Sequence, residues 1–309
     1  MTSRRDVREA AKEKPSRLTD LFVGVAAAAI GIIPWLTTGA RLPLQNLWTS
    51  TDSVQPTPVV LLPVNQYLAT SIVVLLVVGG AIAGITARLL RRGRTVATWA
   101  TSLGLLIGHA LLIAQSFIAL TQVFNSSPAD NQGDVRTYVV AMLLGSIFSA
   151  LVAQGVLWLI SRASVGPTAL GIGLVAVPIA TWIAAFATLH AMGGAGGVPV
   201  IFSTIVRWLP AVIAGAALGW LGTTPARRIP IWPAVLAALW LVPAVFTGIG
   251  YILGSWVGLH DIPEAISGGL QVFRMAVGLG VYWQPVIVAL IIGLAVVVFR
   301  FVWDRRGNL

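Results

Sequence analysis

QYLATSIVVLLVVGGAIAGITAR, residues 66–88, carries no charged group until its last position. At 1.5 Å of rise per residue it spans just over ~30 Å, the thickness of a bilayer's hydrocarbon core. An apolar run of that length, with a basic residue closing it, reads as a transmembrane helix. Working outward from it, comparable runs fall at 21–39, 96–124, 137–160, 168–190, 199–222, 231–256 and 276–300, so the expected fold class is an all-α integral membrane protein of about eight transmembrane helices.

Composition agrees. Of 309 residues, 57% are hydrophobic and only 10% charged, far below the charged quarter of a soluble domain. Cysteine is absent, which excludes disulfides, thiolate metal sites and cysteine nucleophiles. The net charge of +10 would suggest nucleic acid in a soluble chain. Here the basic residues cluster at the ends of apolar runs, where they orient a membrane protein, and nucleic acid is excluded as a partner. Abundant Ala, Val, Gly and Arg beside two lysines is the bias of a high-GC bacterial genome.

Topology follows from that clustering. Arg4, Arg5, Arg8, Lys12, Lys14 and Arg17 precede the first span; Arg88, Arg91, Arg92, Arg94, Arg162, Arg227, Arg228, Arg300, Arg305 and Arg306 follow even-numbered ones. Only Arg41, Arg136, Arg207 and Arg274 fall on the other side. The positive-inside rule therefore places both termini in the cytoplasm of a cell inner (plasma) membrane, in agreement with an even helix count. Reading the first run as a cleaved signal peptide, with Thr38-Gly39-Ala40 as a small-residue cleavage site, is the weaker alternative: the run is long and follows twenty mixed-charge residues.

The halves resemble each other. Arg136 and Arg162 bracket the fourth span as Arg274 and Arg300 bracket the eighth; Pro63-Val64 and Arg91-Arg92 flank the second as Pro199-Val200 and Arg227-Arg228 flank the sixth. Small-residue pairs recur in register, Gly80/Gly84 with Gly215/Gly219 and Gly104/Gly108 with Gly250/Gly254, where backbones can approach closely. The expected organisation is a cytoplasmic tail at 1–20, four-helix units at 21–162 and 168–300 in parallel orientation, and a cytoplasmic tail at 301–309. The 1–20 tail is polar and is expected to be disordered or a short surface helix.

Candidate sites are few. Within the third span Ser102, His109 and Ser116 recur every seven residues beside Thr101, Gly108, Gln115 and Gln122, forming one polar face that must point into protein or a water-filled cavity. His109 reads as a structural hydrogen-bonding group or as a proton or ligand site. Arg207, on the order of 12 Å from the outer end of the sixth span, is expected to snorkel outward, to hold an anion or lipid headgroup, or to pair with Asp261 or Glu264. In the last span Gln284 lies within Tyr282-Trp283-Gln284-Pro285, where hydrogen-bonding groups adjoin a proline that frees a carbonyl. His190, His260, Asp261 and Glu264 could gather near the outer surface, but their spacing matches no zinc motif and a solvated polar turn is expected. The long 41–65 connection, with Trp48, Asp52 and four prolines, is expected to cap the helix ends.

No phosphate loop, nucleophile elbow or His-Glu-x-x-His pair is present, and no carboxylate lies inside the eight runs, so ATP-driven, hydrolytic and acidic proton-relay chemistry find no support. No cofactor or metal is expected. The sequence leaves two functions: a non-catalytic accessory or scaffold protein that binds another membrane protein or envelope lipid within the lipid bilayer, or a transporter with a pathway lined by the third span.

Overall fold

The computed structural model describes residues 16–43, 45, 57–126, 132–192, 197–254, 261–278 and 280–306. The N-terminal tail to residue 15, Trp48, Asp52, the glycine run at 193–196 and His260 lie outside them. The described chain is helical: α1 (Arg17–Gly31), α2 (Ile33–Leu36), α3 (Ala69–Leu90), α4 (Thr98–Ser126), α5 (Gln132–Ser161), α6 (Val165–Leu174), α7 (Ala176–Met192), α8 (Val200–Leu221), α9 (Ile231–Gly254), α10 (Ile262–Gly278) and α11 (Gly280–Arg306).

Six of these (α3, α4, α5, α8, α9 and α11) are long and apolar enough to cross a membrane, and the α6–α7 pair, bent by 42°, makes a seventh if it is one span. The remaining expected span, 21–39, is the 15-residue α1 followed by the four-residue α2. The break between them sits at Ile32, with φ −93° and ψ 2°. Val175, between α6 and α7, has φ −94° and ψ 2°. In each case a proline a few residues on, Pro34 or Pro178, lacks the N–H that would continue the hydrogen-bond ladder. Pro210, Pro243 and Pro285 instead lie inside unbroken helices.

Glycine decides which helices touch. A Cβ on Gly80 would overlap the Ala153 backbone, and one on Gly84 would sit 2.9 Å from Ile160 Cβ, so α3 and α5 meet almost backbone to backbone. In the second half a Cβ on Gly215 would lie 2.8 Å from the Ala289 carbonyl and one on Gly219 2.5 Å from Val296 Cβ, joining α8 to α11. The glycines are four residues apart and their partners seven, in both halves. Gly104 and Gly108 press α4 onto Leu21 and Ala28 of α1. The fourth pair departs from expectation: Gly250 has open space around it and Gly254 meets only the Tyr67 ring at 3.6 Å. α9 uses Gly248 instead, placed against Gly269 of α10.

That α10 is a helix at all differs from the expected outer loop. Asp261 accepts a bond from the Glu264 N–H (2.9 Å) and its carbonyl accepts one from the Ala265 N–H (3.0 Å), an N-terminal cap followed by the acidic residue that the helix dipole favours. Ala265, Gly269 and Ala276 are its buried stripe. Through Gly268 against Tyr251 and Gly269 against Gly248 it runs antiparallel along α9.

Arginines gather at one end of the bundle. Arg88 donates to the Arg162 carbonyl, to Thr168 Oγ1 (2.7 Å) and to the Ala163 carbonyl (3.4 Å), and its guanidinium lies 5.3 Å from the centre of the Trp220 ring. It thus ties α3 to the α5–α6 junction and to α8. Arg228 donates to the Leu221 carbonyl and Arg300 to those of Gly219 and Trp220, capping the C-terminal end of α8 as a cation should.

Candidate functional site

The polar face of α4 is brought into the protein, and its members go to different partners. Ser102 Oγ donates to Gln154 Oε1 on α5 (2.6 Å), and Gln154 Nε2 donates back to the Ser102 carbonyl (3.2 Å). Two turns further along α4, His109 is 1% exposed. Its Nε2 lies 3.2 Å from where a Cβ on Gly79 would be, and Gly79 itself rests on Ala27 and Ala28 of α1. The imidazole is therefore wedged where α1, α3 and α4 converge, and a Cβ at 79 would crowd it. Among the described residues, neither ring nitrogen, nor Thr101 Oγ1, has a protein hydrogen-bond partner. Sequence reading left His109 as a structural hydrogen-bonding group or as a proton or ligand site; the structure packs it tightly without a protein hydrogen-bond partner among the described residues.

Gln115 and Ser116 do something the sequence did not announce. Gln115 Oε1 accepts from the Leu61 N–H and its Nε2 donates to the Val59 carbonyl, both at 2.9 Å. Ser116 Oγ accepts from the Leu62 N–H (2.8 Å) and donates to the Leu112 carbonyl of its own helix. These two side chains hold an extended piece of the 41–65 connection against the middle of α4. Trp35 Nε1 donates to the Val60 carbonyl (2.8 Å), while Arg41 pairs with Val59 in an isolated bridge. Gln45 donates to the Val64 carbonyl (2.9 Å) and accepts from the Tyr138 hydroxyl (2.7 Å). Val60, Leu62 and Val64 are fully buried. The described parts of the connection, 41–43, 45 and 57–65, enter the bundle, which irregular backbone can do only where protein satisfies its polar groups.

Arg207 and Gln284 do come together: Arg207 Nη2 donates to Gln284 Oε1 at 2.9 Å, with the guanidinium 5.3 Å from the centre of the Trp208 ring. Of the roles expected for Arg207, the pairing with Asp261 or Glu264 is not formed among the described residues; Asp261 caps α10. Glu264 is exposed. Among the described residues no three His, Cys, Asp or Glu side chains gather as metal ligands; His260 and the side chain of His190 lie outside them.

Sequence reasoning passed over Asp20. It is fully buried, pairs with Arg94 at 2.5 Å and accepts from the Ala97 N–H at 2.7 Å. It thereby fixes the α3–α4 connection just ahead of α4. The signal was present, since a carboxylate in the first turn of an apolar helix, four residues after the capping Ser16, needs a partner to be buried.

Charged and polar groups thus serve to seal helix ends and loops, and the fold defines a helical protein with six or seven membrane-length helices. A scan against protein-family models, a search of curated proteins and a search of solved structures each gave no match.

Proposed function

We propose that this chain is a polytopic bacterial plasma-membrane protein acting as a non-catalytic accessory or scaffold for a membrane or cell-envelope assembly. One observation carries the reading: Ser102, Gln115 and Ser116, on the face of α4 where a transport pathway would run, are committed to Gln154 and to the buried connection. A solute path needs polar groups left over for the solute. The competing transporter reading is left with Thr101 and His109, buried without a protein hydrogen-bond partner among the described residues.

In this reading eight spans cross the bilayer, α1–α2 and α6–α7 each counting as one broken span. The two four-helix units are tandem copies in parallel orientation, supported by the matched breaks at Ile32 and Val175 and the matched glycine contacts on α3–α5 and α8–α11. The arginine-rich end faces the cytoplasm. Because the chain has no cysteine, single cysteines at Ser3 and Asn308 give a clean test: both should react with a membrane-impermeant maleimide only after the cells are permeabilised.

The functional test is a His109→Leu variant of the tagged full-length protein. Unchanged abundance, unchanged phenotype and co-purification of the same membrane partner are expected. Solute flux in vesicles reconstituted with the parent protein, abolished by the substitution, would replace the scaffold reading with the transporter.

A further inference from the structure

A cavity of about 360 Å³ lies between the two halves of the bundle, walled by α3, α5, the α6–α7 bend and α9. Ser146 and Ser149 are the polar side chains in its lining. Both hydroxyls are already committed, donating to the Met142 and Gly145 carbonyls of their own helix at 2.8 and 2.7 Å. The wall offers a ligand no free donor, so it suits hydrocarbon.

Position and width narrow the occupant. Lining residues run from Ala69 to Val77 on α3 and from Leu241 to Leu253 on α9, the halves of those helices remote from the arginine-rich end, where Arg88 closes the junction. Twelve residues of helix measure ~18 Å, about the depth of one leaflet. Spread over that length, the volume admits the centre of a water-sized sphere over on the order of 20 Å², a bore of ~8 Å once the sphere's ~1.4 Å radius is added, which is narrower than a helix about 10 Å across. The inner wall is sealed by Ile72, Val77 and Val156, yet Phe148, Val152, Leu241 and Val245 on the rim remain 37–67% exposed. The opening is therefore sideways, through an apolar rim.

We infer that this cavity is a binding site for one acyl chain of a bilayer phospholipid, entering laterally from the leaflet opposite the arginine-rich end. The inference rests on the membrane reading given above. A chain lying there would bridge the two four-helix units on the side that Arg88 does not hold.

The test uses full-length protein reconstituted in phosphatidylglycerol vesicles that contain a fraction of the same lipid with a mid-chain diazirine. Gly145 lines the cavity and a Cβ there would meet nothing within 4 Å, so Gly145→Phe, and the smaller Gly145→Leu, plug the space without moving backbone. Gly155, on the same helix and equally open but outside the cavity, supplies the control Gly155→Phe. Photo-adducts on Ser149, Val242 and Val245 are expected in the parent and in Gly155→Phe, and lost in both Gly145 variants that elute as the parent does. Adducts spread evenly over the outward-facing Ile147 and Leu151, and indifferent to Gly145, would overturn the site while leaving the membrane reading intact. Release of the protein from the vesicles by alkaline carbonate would overturn both.

Discussion

Gly80→Ala adds one methyl at a backbone-to-backbone helix contact of the first half. That Cβ would lie 2.8 Å from the carbonyl carbon and 2.9 Å from the Cα of Ala153, where ordinary contact begins at 3.4 Å. Both obstacles are backbone, so no side chain can swing aside, and α3 must retreat from α5 by at least ~0.5 Å. A gap of that size forfeits about a quarter of the dispersion attraction along the interface. Overpacking of this kind costs about 1–3 kcal/mol. We take the upper end because the clash is rigid, and offset it by the ~1 kcal/mol that alanine gains over glycine in a helix. The net expectation is a loss of about 2 kcal/mol. Gly250→Ala, where nothing lies within 4 Å, should be neutral or slightly stabilising. Reversible unfolding of the detergent-solubilised full chain in mixed micelles, followed by far-ultraviolet circular dichroism, measures both. If Gly80→Ala matched the parent, or Gly250→Ala did equal harm, backbone approach would not be what holds α3 to α5.

Asp20→Asn removes the charge that Arg94 pairs with at 2.5 Å; with Arg94 partly open to water, a loss of about 2 kcal/mol is expected in the same unfolding experiment, and equal stability would mean that the pair contributes nothing net. Gln115→Leu leaves the Leu61 N–H and the Val59 carbonyl without their partner. At ~1–3 kcal/mol per unsatisfied group, a cysteine introduced at Val60 should become reactive to maleimide in that background, and continued protection would show that Trp35 and Ser116 suffice to hold the connection. Arg88→Met keeps the aliphatic stem but removes the donors to the Arg162, Ala163 and Thr168 oxygens. Proteolysis in the 162–164 connection should accelerate, and an unchanged digestion pattern would count against the clasp.

Much of the fold was legible because hydrophobic length is a one-dimensional property. The runs at 66–88, 199–222 and 231–256 correspond to α3, α8 and α9 within a few residues. Close-packing glycines were readable wherever a second glycine lay one turn away on a face that meets another helix. Gly250 and Gly254 have that spacing but look toward open space and Tyr67, which spacing alone cannot tell. α10 was hidden because Pro263, two adjacent glycines and Arg274 dilute its apolar signal below that of a span. Asp261 and Glu264 nonetheless spelled its cap. At the candidate site, the heptad of polar residues on α4 was visible, but its destinations were not: Gln115 and Ser116 reach residues 54–56 positions away. Nothing local in Val59, Leu61 or Leu62 says that side chains of α4 will hold their backbone.

Arg88 also sets an order of events during synthesis. Its acceptors are made 74, 75 and 80 residues after it, a delay of roughly 4–16 s at typical rates of chain elongation. Through that interval the guanidinium lacks those acceptors, and an unpaired charge favours an aqueous surface over an apolar interior. Only once α5 and the start of α6 have both been made can this one side chain join them to α3.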